Sequence, residues 1–155
     1  MIPRGLRLNN PLNIRHGNSQ WQGRAMQQRD KEFVCFLTKG AGYRAGWKIL
    51  QTYYTVLPKE GKTFCIRNII TRWAPPQDNN PTEAYIRRVV SHTGLPDNHV
   101  LPEPCSVGGF SALQPIMVAM TCVENGIKPD AVPTGDIYTG YKMAFPEVKL
   151  AGKPI

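Results

Sequence analysis

No stretch of this 155-residue chain is apolar for long enough to cross a bilayer. Its N-terminus also lacks an apolar core set between a basic flank and a small-residue cleavage site. Neither a membrane span nor a secretory signal is therefore expected, and the chain reads as made in the cytoplasm. Negative charge is scarce, with 11 Asp+Glu against 19 Lys+Arg and a formal net charge of +8. That sign favours an anionic partner: nucleic acid, an anionic membrane surface or an acidic wall polymer. The basic residues are scattered with no block of five or six, which argues against a nucleic-acid-binding tail, and no known nucleic-acid-binding motif is present. His16, His92 and His99 form no HxxxH pair, and Cys35, Cys65, Cys105 and Cys122 form no CxxC. No metal and no cofactor are expected. Three of the cysteines sit in apolar surroundings (FVCFL, TFCIR, MTCVE), as buried reduced thiols do. Internal repeats and low-complexity segments are absent as well.

What is present divides into an asparagine-rich opening and a series of helices. "LRLNNPLNIRHGNSQWQG" (6 to 23) is too polar to start a core, so it is either a floppy arm or a shaped recognition surface. "KEFVCFL" (31 to 37) reads as a strand, and with "LNIR" before it a small hairpin or sheet is predicted. From about Gly42 to Leu57, Ala45, Ile49, Leu50, Tyr53, Tyr54 and Leu57 recur at helical spacing, with Pro58 and Gly61 closing the segment. "KTFCIRNIITRWAPP" predicts a short helix capped by Thr63 and stopped at Pro75 and Pro76. "NNPTEAYIRRVVSHTG" predicts another, with Asn80 as cap, Pro81 at the first helical position and Gly94 as left-handed stop. A helix from about Ser111 to Glu124 would have Pro115 near its first turn and Asn125-Gly126 at its end. One more short helix around 135 to 144 and an irregular tail complete the chain. The pattern predicts one domain over 1–155, α+β and mostly helical, two-lobed, with a small N-terminal β element.

Glu124 is the most informative carboxylate. It lies in the last turn of a predicted helix, where the macrodipole is negative and a charged carboxylate is disfavoured. Dipole and partial burial would both raise its pKa, as a general acid near neutral pH requires; a solvated glutamate at a helix end is the alternative. Asp30, in "QQRDKEF", could present a second carboxylate, as could Glu32. Asn9, Asn10, Asn13, Arg15, Trp21, Trp73, Asn79, Asn80 and Tyr85 have the chemistry of a carbohydrate surface: amides and guanidinium bond hydroxyls and N-acetyl groups, and indoles stack on sugar faces. Structural alternatives stand beside them, since Trp73 would also serve as core, Asn80 as a cap, and Asn9 and Asn10 as turn residues.

"RGLRLNNPLNIRHGNSQWQG", "RDKEFVCFLTKGAGYRAGWKIL", "IITRWAPPQDNNPTEAYIRRV" and "MVAMTCVENGIKP" resemble small phage virion or structural proteins thought to degrade peptidoglycan. A second similarity is to glucosaminidases of the flagellar and autolysin type within the lysozyme superfamily. Asn9, Asn10, Ile14, Arg15, Trp21, Gly23 and Phe33 follow the order of that family's β-lobe motif. In those enzymes the catalytic glutamate ends a helix that precedes the Asn-Asn pair, whereas Glu124 follows it. The resemblance therefore implies a circularly permuted lysozyme-like domain, with the asparagine-rich start as the β-lobe wall of a glycan cleft. It further implies a muramidase, glucosaminidase or lytic transglycosylase, with Glu124 and Asp30 catalytic and Asn9, Asn10, Asn13, Arg15, Trp21, Trp73, Asn80 and Tyr85 binding substrate. The implied partners are bacterial peptidoglycan and phage virion or secretion-system proteins, with delivery to the periplasmic wall by virion, holin or secretion system. A non-catalytic virion or secretion-apparatus protein that binds cell wall is the alternative, and a nucleic-acid-binding domain is a third reading.

Overall fold

The computed structural model describes residues 1–150. These residues form six α-helices: α1 Arg4–Arg7, α2 Lys39–Lys59, α3 Ile66–Trp73, α4 Thr82–Thr93, α5 Gly109–Asn125 and α6 Thr134–Ala144. The expected α+β, lysozyme-like two-lobed architecture is corrected here: the described residues contain no sheet, and strand pairing is reduced to two isolated antiparallel bridges, Arg15 with Phe33 and Arg24 with Phe36. A permuted β lobe falls with it.

The reason lies in the asparagines. Asn9 and Asn13 adopt left-handed backbone at φ 55° and 54°, and Gly23 does so at φ 81°, so no run between residues 8 and 37 stays extended for long. Pairing occurs only at points, such as Val34 N–H to Ile14 O (2.9 Å) and Ala25 N–H to Cys35 O (2.9 Å). The fully buried Asn10 amide takes the place of ladder bonds: it donates to Ile14 O (2.9 Å) and Val34 O (2.8 Å) and accepts from Ile14 N–H (2.9 Å). The apolar "VCF" of the expected strand is buried all the same. The segment is thus an irregular, side-chain-stitched layer over the helices.

Helix α2 begins where Thr38 Oγ1 accepts from Ala41 N–H (3.1 Å). Tyr43, Trp47, Leu50 and Leu57 bury one face of it. Opposite lies α6, brought close by Gly140, where an added Cβ would stand 2.7 Å from Tyr43 Cβ and 2.8 Å from both Arg44 N and Gly40 O. Trp47 Nε1 donates to Ile137 O (3.1 Å), and its ring meets Tyr141 edge-on with centroids 4.9 Å apart. Helix α5 crosses the core with Leu113, Ile116, Met117 and Met120 fully buried, and it packs on α4 and α6. Its tie to α2 is a hydrogen bond between Tyr43 OH and Thr121 Oγ1 (2.8 Å).

Several helix ends differ from expectation. Cys65, not Thr63, precedes α3, and α4 starts after Pro81 without a side-chain cap, because Asn80 Nδ2 donates to Pro75 O (2.9 Å) instead. Helix α5 starts at Gly109, which places Pro115 in its interior. The left-handed stops at Gly94 (φ 74°) and Gly126 (φ 64°) are as predicted. All four cysteines are free thiols, three of them buried and Cys105 partly exposed. No described helix is long and apolar enough to cross a membrane. The expected irregular tail lies partly outside the described residues.

Candidate active site

Gly126 stops α5 two residues after Glu124, and Asn125 Nδ2 bonds Pro11 O (2.7 Å). The end of α5 is thereby pinned against the N-terminal segment. Asn13 reaches back across that junction, its Nδ2 donating to Glu124 O (3.1 Å) and to Glu124 Oε1 (2.9 Å). The other carboxyl oxygen, Oε2, accepts from Tyr85 OH (3.0 Å) on α4. Glu124 is thus held from two elements distant in sequence, half-buried, at the floor of a cleft of about 440 Å³.

Burial raises the Glu124 pKa above the ordinary carboxyl value, the loss of solvation outweighing the opposing effects of Asn13, Tyr85, Trp73 and the Arg15 charge. Burial likewise pushes the Tyr85 hydroxyl well up, reinforced by the adjacent Glu124 charge, so it stays a donor. The cleft walls combine aromatic and polar groups. Trp73 meets Tyr53 edge-on at 6.4 Å, and Arg72 lies over the Tyr53 ring at 5.5 Å while its guanidinium pairs with Glu60 (3.0 Å). On the other side Arg15 pairs with Glu32 (2.7 Å) and lies 5.3 Å from the Phe33 centroid.

Of the residues singled out from sequence, Glu124, Asn13, Arg15, Trp21, Trp73 and Asn80 line this one cleft. Tyr85 stands behind it, buried, and touches Glu124 rather than the open space. Asn9 and Asn10 do not line it. Asn10 is the buried stitch described above, and Asn9 Nδ2 donates to Phe36 O (3.3 Å) and Leu37 O (3.1 Å) while its Oδ1 accepts from Lys39 Nζ (3.2 Å). Both hold the turn. Asp30 is also outside the lining: it pairs with Arg4 (2.6 Å) and accepts from the backbone N–H groups of Glu32 and Phe33 (2.9 Å each). Those contacts, the Arg4 bond foremost, hold its carboxyl far below the usual range. Tyr53, Arg72 and Asp78 belong to the cleft and escaped the sequence reading. For Asp78 a signal existed, since "APPQDNN" is a stiff, polar connection, and such loops on a fixed scaffold often carry function. Among the described residues no cluster of His, Cys, Asp and Glu suited to a metal ion occurs.

Fold and site together define a helical protein whose half-buried carboxyl looks into a polar, aromatic cleft. No family model matches the sequence. The chain is, however, 40% identical over 145 residues to Protein P5 of Pseudoalteromonas phage PM2, an alignment spanning 92% of this chain and 82% of the phage protein. The chain belongs to the family of that phage protein.

Proposed function

We propose that the protein cleaves the glycan strands of bacterial peptidoglycan, with Glu124 as the general acid. The observation that supports this most directly is the seat of Glu124: a carboxyl group whose burial favours the protonated form, facing a cleft of about 440 Å³ walled by Trp21, Trp73, Asn13 and Asn80. Indole rings offer stacking faces to sugars, and the Asn80 amide and the Arg15 and Arg72 guanidinium groups offer bonds to hydroxyl, N-acetyl and carboxylate groups. As the glycosidic C–O bond breaks, Glu124 gives its proton to the leaving oxygen. The charge it then carries is received by the Asn13 and Tyr85 donors already in place at 2.9 and 3.0 Å. A net charge of +8 draws the protein to an anionic wall. Delivery to the periplasmic wall by a virion fits membership of a family with a phage member.

The test is Glu124→Gln. Glutamine keeps both hydrogen bonds, its carbonyl accepting from Asn13 and its amide donating to the Tyr85 oxygen, but it has no proton to give. Muropeptide release from purified sacculi is expected to fall by roughly 10² to 10⁴-fold, with an unchanged or slightly higher melting temperature. Equal release by the variant overturns the proposal.

A second reading is a non-catalytic virion or secretion-apparatus component that binds cell wall. Two observations favour it: the kinship with a phage protein, and the part Glu124 plays in tying Asn13 to α4 and α5. It predicts that sacculi pull the protein down without releasing any soluble product.

A further inference from the structure

We propose that Asp78 is the second carboxylate of this cleft, the base that activates the attacking water; this rests on the glycan-cleaving function proposed above. Glu124 and Asp78 are the two carboxylates among the described residues that line the cavity. Their surroundings differ sharply. Glu124 is half-buried and clasped by Asn13 and Tyr85, whereas Asp78 is exposed and, among the described residues, bonded by no cation or side-chain donor. By contrast Asp30, Glu32, Glu60, Glu83 and Asp97 are all held by arginines. Two carboxyl groups of one cleft, one desolvated and one bathed in water, form the usual division between a proton donor and a base.

The turn that carries Asp78 is also unusually well braced for an exposed connection. Pro75 and Pro76 restrict its backbone, Asp78 N–H bonds Pro75 O (3.1 Å), and Asn79 N–H bonds Pro76 O (3.1 Å) before a left-handed Asn79. Asn80 Nδ2 holds Pro75 O, and Thr82 Oγ1 bonds Ala74 O from the first turn of α4. A carboxylate on such a turn is presented at a fixed place beside Trp73 and Asn80. This gives the stretch between α3 and α4 a purpose beyond linking two helices.

In the step this implies, the Asp78 carboxylate takes one proton from water while the water oxygen forms a bond to the anomeric carbon. The bond from that carbon to the glycosidic oxygen breaks, its electron pair stays on the oxygen, and the Glu124 proton neutralises it. One water is consumed, and one reducing end and one free hydroxyl are formed. Asp78 then loses a proton to solvent and Glu124 regains one.

The experiment compares wild type, Asp78→Asn, Asp78→Ala and the control Asp130→Asn on purified sacculi, with products identified by mass spectrometry. Wild type is expected to release reducing-end fragments. Asp78→Asn should lower kcat by about 100-fold or more with little change in KM and in melting temperature. Sodium azide should restore turnover to Asp78→Ala, giving a glycosyl azide, because an anionic nucleophile needs no base. Asp130→Asn should match wild type. Near-wild-type kcat in Asp78→Asn, or wild-type products that end solely in anhydro sugars, overturns the Asp78 assignment while leaving Glu124 in place. Absence of any product from wild type overturns both.

Discussion

Asn10 is polar and yet completely shielded from solvent, and its amide makes three hydrogen bonds to the backbone of residues 14 and 34. Asn10→Ala leaves the Val34 carbonyl and the Ile14 N–H without partners, leaves Ile14 O with the Val34 N–H alone, and opens a small void. The expected cost is about 3 kcal/mol, measurable as a lower urea midpoint. Asn10→Asp is expected to be as damaging, since a carboxylate cannot donate to Ile14 O and Val34 O. Asn13 illustrates the opposite use of the same residue type: left-handed in backbone, it sends its amide to Glu124 instead of to its own segment. Sequence chemistry marked both asparagines alike, as polar groups fit for sugar hydroxyls. Which one faces the cleft was decided by the backbone path around them.

At the scale of elements, the contact of α2 with α6 depends on a backbone approach that any side chain would block. Gly140→Ala would set its Cβ 2.7 Å from Tyr43 Cβ and 2.8 Å from Gly40 O, too close for carbon and oxygen atoms that cannot swing away. Forcing the helices apart is expected to cost ~2 kcal/mol and to lower the melting temperature by roughly 5 °C. Helix α2 itself was readable because its apolar spacing persists over many turns. The burial of Tyr43 and Trp47, neither of which belongs to the predicted stripe, was not, since it follows from where α6 lies. The expected strand at 31–37 failed for a different reason: its apolar residues are buried, but left-handed turns at Asn9, Asn13 and Gly23 deny it a continuous partner. Buried apolar residues do not by themselves make a ladder.

For the whole molecule, two carboxyl groups set opposite trends of stability with pH. The folded Glu124 pKa lies above the ordinary 4.5, with burial as the main cause, so the folded state binds its proton more tightly than the unfolded chain does. Its contribution is complete below about pH 4.5 and is lost as pH rises through the folded value. Asp30 runs the other way, lowered from 3.8 mainly by Arg4; its contribution is present above 3.8 and is lost as pH falls toward its depressed folded value. Glu124→Gln is therefore expected to be more stable than wild type at pH 7, with the difference vanishing by pH 4, as measured by thermal melts across that range. Asp30→Asn should be less stable than wild type at pH 7, and that deficit should shrink in acid. Differences from wild type that slope the same way with pH in the two variants would contradict this assignment of the two charges. In turnover, the Glu124 acid would impose an alkaline limb, with activity falling as pH rises through its folded pKa.

Sequence alone determined the helices with apolar period and punctuation, α2 to α5, and placed a short helix where α6 lies, because apolar spacing, prolines and left-handed glycines act over a few neighbouring residues. It also marked Glu124, because a glutamate just before Asn-Gly at a helix end breaks a local electrostatic preference. Only the tertiary structure decided that the N-terminal segment is an irregular layer without a sheet, that Asp30 serves an ion pair, and that Asp78 shares a cleft with Glu124. The physical reason is range. Capping and periodicity are fixed by adjacent residues, whereas the burial of a carboxyl group and the company it keeps depend on chain segments more than a hundred positions apart, as Asn13 and Glu124 are.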